Sequence, residues 1–200
     1  MELIDIIKNY IGSNPLVSAA SIIVIAWLVA VFVNKVVLRV FLRLTLKTKT
    51  TIDEELVQIA SKPISTTILL IGFELALKHT SLSADIVSIT RGIIMSVIIM
   101  IWAVAGMKMG KTVLGAMAKK AGKEKLVQSR TLPLFEMAAK FIIISGALYG
   151  FFLTWNVDVT AWLASAGIVG IAVGFAAKDS LANFFSGIFI IADAPYKIGD

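Results

Sequence analysis

The chain has no cysteine and only one histidine, His79. Disulfides and thiolate metal sites are therefore excluded, and an isolated imidazole reads as a polar residue at a helix end. Charge is also scarce, at 16% of the 200 residues. There is no histidine cluster, no nucleophile elbow and no phosphate loop after a strand, and too little polar surface remains to build a catalytic site. An enzyme is not expected, and no cofactor is called for. What is abundant is apolar surface: 58% of residues are hydrophobic and the mean hydropathy is +0.90. Soluble domains are typically ~45–50% apolar. The excess is too large for one buried core, so much of it must face lipid. Met1 to Tyr10 carries Glu2 and Asp5 instead of a basic leader, and no small-residue cleavage site follows. The first apolar run is therefore read as a retained membrane helix.

Residues 1–14 form a short amphipathic segment, with Leu3, Ile4, Ile7 and Ile11 at helical spacing and Asn14-Pro15 ending it. Four apolar runs follow, over about 16–33, 63–77, 86–107 and 133–155. The second is short and holds Glu74, so it reads either as a tilted span or as a re-entrant segment. The third carries Arg91 near its start. Thr131 is placed to cap the fourth, in which Glu136 and Lys140 form an i,i+4 pair. A fifth run, Val159 to Ala177, has 19 residues without a charge. The expected fold is an all-α membrane protein of about five transmembrane helices.

Charge in the connections sets orientation. Residues 34–62 hold Lys35, Arg39, Arg43, Lys47, Lys49 and Lys62; residues 106–130 hold Lys108, Lys111, Lys119, Lys120, Lys123, Lys125 and Arg130. These are 13 of the 19 basic residues, whereas the alternate connections, 78–85 and 156–158, hold only Lys78. Basic loops stay on the cytoplasmic side. Five spans then place the N-terminus outside and the C-terminus in the cytoplasm, and this parity supports counting the short second run. Such placement of charge indicates membrane orientation and not a nucleic-acid surface. Trp155 and Trp162 flank the last external turn, where interfacial aromatics belong.

The last apolar segment differs from the others. Ala161, Ala164, Ser165, Ala166, Gly167, Gly170, Ala172, Gly174, Ala176 and Ala177 crowd its first half, and Gly170 and Gly174 form a GxxxG step. Small residues let membrane helices approach closely, which by itself also suits a structural helix pair. Bulk, however, is confined to a stripe. Ile168, Ile171, Phe175 and Lys178 share a helix face. If small faces pack around a ring, Ile171 and Phe175 point to the axis, and two apolar rings there make a constriction that dewets. At Lys178-Asp179-Ser180 a break is expected, with Asp179 or Ser180 capping a second half that carries Leu181, Phe184, Phe185, Ile188 and Phe189.

The run AGIVGIAVGFAAKDSLANFFSGIFIIADAPYKIGD resembles the pore helix and the start of the cytoplasmic β-domain of the MscS-type mechanosensitive channels. The resemblance covers residues 161–200 and rests on the Gly/Ala helix, the SLxN step, a later glycine and the terminal P-aromatic-K-x-G-D. It implies a pore-lining helix over 159–191 with a break near 178–180, and a β-domain starting at 192–200 and continuing beyond Asp200. It assigns Ile171 and Phe175 to the hydrophobic gate, which in the family is commonly leucine. Gly167, Gly170, Ala172 and Gly174 match the small residues that interlock neighbouring pore helices. Lys178 and Asp179 fall at the break, and Ser180, Leu181, Asn183 and Gly187 match the second half. The family commonly carries glycine at the break, where this chain has Asp179. The resemblance further implies a homo-heptamer in the plasma membrane of a prokaryote, embedded in lipid, that opens under tension and passes ions and small osmolytes on hypo-osmotic shock. A lumen-facing Lys178 favours anions, unless Asp179 neutralises it.

Other readings stay open at this level: a ligand-gated relative, a secondary transporter, or a membrane scaffold with the glycine helix as its seam. No internal repeat supports the transporter. Glu74, an ionisable residue within a run, reads equally as a functional group and as a side chain reaching the interface. Glu136 and Lys140 are either a sensor contact or an interfacial pair. The basic connections either grip anionic headgroups or only set topology.

Overall fold

The computed structural model describes residues 14–37, 51–80, 82–120 and 131–193. Five α-helices account for almost all of them: α1 (Pro15–Phe32), continued by a π-helical turn (Val33–Val37), α2 (Thr51–Lys78), α3 (Ala84–Lys120), α4 (Leu132–Thr154) and α5 (Thr160–Asp193). No strand occurs among the described residues. Each helix is long and apolar enough to cross a membrane, and the chain is a multi-pass membrane protein. The N-terminal segment, the basic residues Arg39, Arg43, Lys47, Lys49, Lys123, Lys125 and Arg130, and the expected β-domain start at Pro195, Lys197, Gly199 and Asp200 lie outside the described residues.

Helix ends differ from the hydropathy boundaries. The second run expands from 63–77 to a helix of 28 residues, about 42 Å long, so it is a full-length helix and not a short re-entrant one. Pro63 lies inside it. Proline lacks an N–H, so the Ile59 carbonyl loses its usual partner. The helix nevertheless starts at Thr51, because Asp53 and Glu54 in its first turn suit the positive end of the helix dipole. The third run extends from 86–107 to a helix of 37 residues, about 55 Å long. Its added turns after Met107 hold four lysines, two methionines and two alanines, which favour helix without being continuously apolar and outweigh Gly110 and Gly115. Helix α4 has Thr131 at its N-cap position, but without the expected side-chain cap bond.

The chain divides into two compact units, one ending at Asn156 and one beginning at Val157. In the first, α1 packs on α2, α2 on α3 and α3 on α4. The contacts are made by small residues. Ala19, Ala30, Ala76 and Ala105 are buried, and a Cβ added at Gly72 would overlap the Cβ of Ala26. Lipid offers no hydrophobic drive between helices, so close backbone approach takes its place. Large side chains point outward instead, with Leu16 75% and Phe141 73% exposed. Buried and half-buried hydroxyls bond within their own helix, as Ser21 does to the Ser18 carbonyl at 2.8 Å and Ser96 to that of Gly92 at 2.7 Å. Side-chain hydrogen bonds also join helices, among them the Trp102 indole N–H to Thr67 at 3.0 Å, the Trp155 indole N–H to Ser96 at 3.0 Å, and the Thr112 hydroxyl to Glu55 at 3.2 Å.

Candidate pore helix

Helix α5 forms the second unit. Before it, Asp158 accepts the Thr160 backbone N–H at 2.8 Å. The Thr160 hydroxyl and that N–H together hold the Asp158 carboxyl below the usual carboxylate range. The helix then runs without interruption from Thr160 to Asp193. The break expected near Lys178, Asp179 and Ser180 does not divide it. None of these three residues lacks an N–H. Each costs at most about 0.7 kcal/mol against alanine in a helix, less than glycine, and every residue added to a helix makes a further backbone bond.

Continuity fixes the faces. At about 100° per residue, Ile171, Phe175 and Lys178 fall within about 60° of one another, and Asp179 lies about 100° round from Lys178. Ile171, Gly174, Phe175, Lys178 and Leu181 line one shallow groove of about 360 Å³ along the helix. The gate candidates and Lys178 are therefore brought together on one face, with Gly174 at its edge. Asp179 and Ser180 are turned off that face. Gly170 and Gly174 lie on one flank of the stripe and Ala172 and Ala176 on the other.

Almost all of this surface is open. Phe175 is 74% and Ile171 61% exposed. A Cβ added at Gly167, Gly170, Gly174 or Gly187 would meet nothing within 4 Å. Among the described residues, nothing within α5 explains why these four positions are glycine.

The first unit supplies a site that hydropathy alone does not resolve. The Glu74 side chain is 7% exposed and lies 3.3 Å from Lys78 Nζ and 3.5 Å from Arg91 Nε. It is buried between two cations. Burying a carboxylate is tolerable only with such partners. Arg91 sits on the next helix, and only the antiparallel α2–α3 register reveals the pair. Glu136 and Lys140, by contrast, form no ion pair among the described residues. Trp155 is tied to Ser96 and covers Gly92, whose added Cβ would lie 3.2 Å from the indole ring.

Residues 137–178 match the family model described as mechanosensitive ion channel, transmembrane helices 2/3. The match takes in most of α4 and ends at Lys178, so the family likeness begins earlier than the motif at 161–200 indicates. An uncharacterized MscS family protein of Aquifex aeolicus is 29% identical over 92% of this chain and 50% of its own length. The large-conductance mechanosensitive channel MscMJLR of Methanocaldococcus jannaschii is 24% identical over 98% of this chain and 55% of its own length. The low conductance mechanosensitive channel YnaI of Escherichia coli is 44% identical over 30% of this chain and 17% of its own length. The chain thus spans about half the length of the curated relatives that match it nearly end to end. No solved structure matches it significantly. The family model on α4 and α5, the two relatives aligned along almost the whole chain and the five apolar helices agree in one likeness: the chain is similar to the MscS-type mechanosensitive channels.

Proposed function

We propose that this protein is an ion channel opened by membrane tension, with α5 lining the pore. The observation that carries the reading is the exposed stripe of Ile171 and Phe175 between flanks of small residues, with open space at Gly170 and Gly174 among the described residues. Copies of α5 packed side by side, glycine flank against alanine flank, bring their backbones close. The stripe then faces the axis. Stacked rings of Ile171 and Phe175 exclude water and stop ions without a plug. Homo-oligomers of this family are heptamers, and seven copies are proposed here.

Tension favours whichever state occupies more membrane area, and only such differential stabilisation shifts an equilibrium. The first unit gives each copy a broad, lipid-facing sensor of four helices. Orientation follows the basic connections: N-terminus outside, C-terminus in the cytoplasm of a prokaryotic cell, with a β-domain from about residue 192. The permeants are ions and small osmolytes released on hypo-osmotic shock.

The test is patch-clamp of the full-length protein in liposomes under a suction ramp, with Phe175→Ser alongside. Discrete currents that follow suction, at lower tension in the variant, support the gate. If Phe175→Ser leaves the threshold unchanged, Phe175 is not at the constriction. Silence up to patch rupture by inserted protein favours a ligand-gated relative.

A further inference from the structure

The α2–α3 hairpin holds a cavity of about 590 Å³ that the pore reading does not use. Its body is apolar, walled by Ile59 and Pro63 of α2 and by Val97, Met100 and Val104 of α3. Lys62 and Lys108 also line it, both exposed and neither in an ion pair among the described residues. The single carboxylate of the lining, Glu55, accepts the Thr112 hydroxyl at 3.2 Å. The two lysines sit where the apolar runs 63–77 and 86–107 end, next to the basic connections. From Val97 to Lys108 the helix rises about 16 Å, the depth of one leaflet of a ~30 Å hydrocarbon layer.

We propose that this groove binds one anionic phospholipid of the leaflet on the side of the basic connections. An acyl chain lies along Val97, Met100 and Val104, and the phosphate sits between Lys62 and Lys108. Three features select this occupant. The groove is one leaflet deep, its body is apolar, and its rim carries two uncommitted cations against one carboxylate that is already hydrogen-bonded. A zwitterionic lipid offers the same chain and phosphate but adds an ammonium that the lysines repel. The site belongs to the hairpin and holds whether or not α5 lines a pore.

The experiment uses the full-length protein in phosphatidylcholine nanodiscs containing a trace of phosphatidylglycerol or phosphatidylcholine with a photoactivatable diazirine in the acyl chain. Cross-linked peptides are mapped by mass spectrometry. The phosphatidylglycerol probe is expected to label the peptides of Ile59–Pro63 and Val97–Val104 at least roughly tenfold more than the phosphatidylcholine probe, as two well-placed lysines allow. Lys62→Gln with Lys108→Gln removes the preference, and the double arginine variant keeps it. Val104→Trp fills the groove and abolishes labelling with both lysines intact. Equal labelling of the wild type by the two probes overturns the proposal, because chains then fill the groove without headgroup recognition. Labelling elsewhere but not at these residues also overturns it, because a protein segment or a second copy then covers the groove. The wild-type comparison alone decides the matter if a variant fails to fold.

Discussion

Glycine does different work in the two units of this molecule. In the first, Gly72 and Gly92 exist because a neighbour is already there: the Ala26 Cβ and the Trp155 ring occupy the space a side chain would need. In α5, Gly167, Gly170 and Gly174 face open space. Glycine in a helix interior costs about 0.8–1.0 kcal/mol relative to alanine. The first unit recovers that cost inside the protomer, through helix contact. At Gly167, Gly170 and Gly174 an added Cβ meets nothing within 4 Å, and the proposed packing of α5 against other copies would supply the compensation. The same contrast holds for bulk. In the first unit a large ring, Trp155, is committed to a partner, whereas Phe175 is 74% exposed.

The sharpest way to break the comparison is a matched pair of substitutions. Gly72→Leu forces a side chain into Ala26 and should destabilise the first unit by about 3 kcal/mol or more, read as a lower midpoint of thermal unfolding in detergent. Gly174→Leu should leave that midpoint unchanged while removing the oligomer from size-exclusion light scattering. An intact oligomer in Gly174→Leu would end the claim that this flank is an interface.

A smaller effect is expected at Glu74. Glu74→Ala removes a buried acceptor shared by Lys78 and Arg91, but both cations are about half exposed and stay solvated. The loss should be about 1–2 kcal/mol, read in the same unfolding assay, and it should not change the mass of the assembly. Trp155→Phe loses both the outer indole ring over Gly92 and the bond to Ser96, at a cost of about 1–2 kcal/mol.

The smallest effect concerns Asp158, which lies between the two apolar helices. Its folded carboxyl is held below its ordinary range, so its contribution is present above that range and is lost as pH falls through the depressed value. Asp158→Asn should lower stability slightly at neutral pH and should flatten the acid limb of the stability profile, read as the unfolding midpoint against pH.

Much of this organisation was legible in the residues. Five apolar runs give five helices, because lipid-facing surface must be apolar whatever its neighbours are. The stripe of Ile171 and Phe175 was legible because it needs only helical periodicity. Helix ends were not. Hydropathy marks where lipid contact stops, while α3 continues from Met107 to Lys120, where Thr112 bonds to Glu55 of α2 and Gly110 lies against Ala139 of α4. The break at Lys178–Ser180 was inferred from cap-forming residues, but Asp179 and Ser180 do not force a break as proline would. The burial of Glu74 and the groove beneath Lys62 and Lys108 depend on which residues of α3 meet which residues of α2. No pattern within one helix encodes that register. Likewise the likeness in α4 comes out only on comparison with relatives.

The central claim is that the face of α5 carrying Ile171 and Phe175 lines a water-filled path when the channel opens. No cysteine occurs in residues 1–200, so a thiol introduced there is the only one among the five helices. Phe175→Cys, Ile171→Cys and Val173→Cys, the last on the opposite side of the helix, can each be recorded in excised patches. A charged methanethiosulfonate reagent is applied during suction. The account predicts that current changes at 171 and 175 only while the channel is open, with no change at 173. Modification at 173 with silence at 171 and 175 would contradict it.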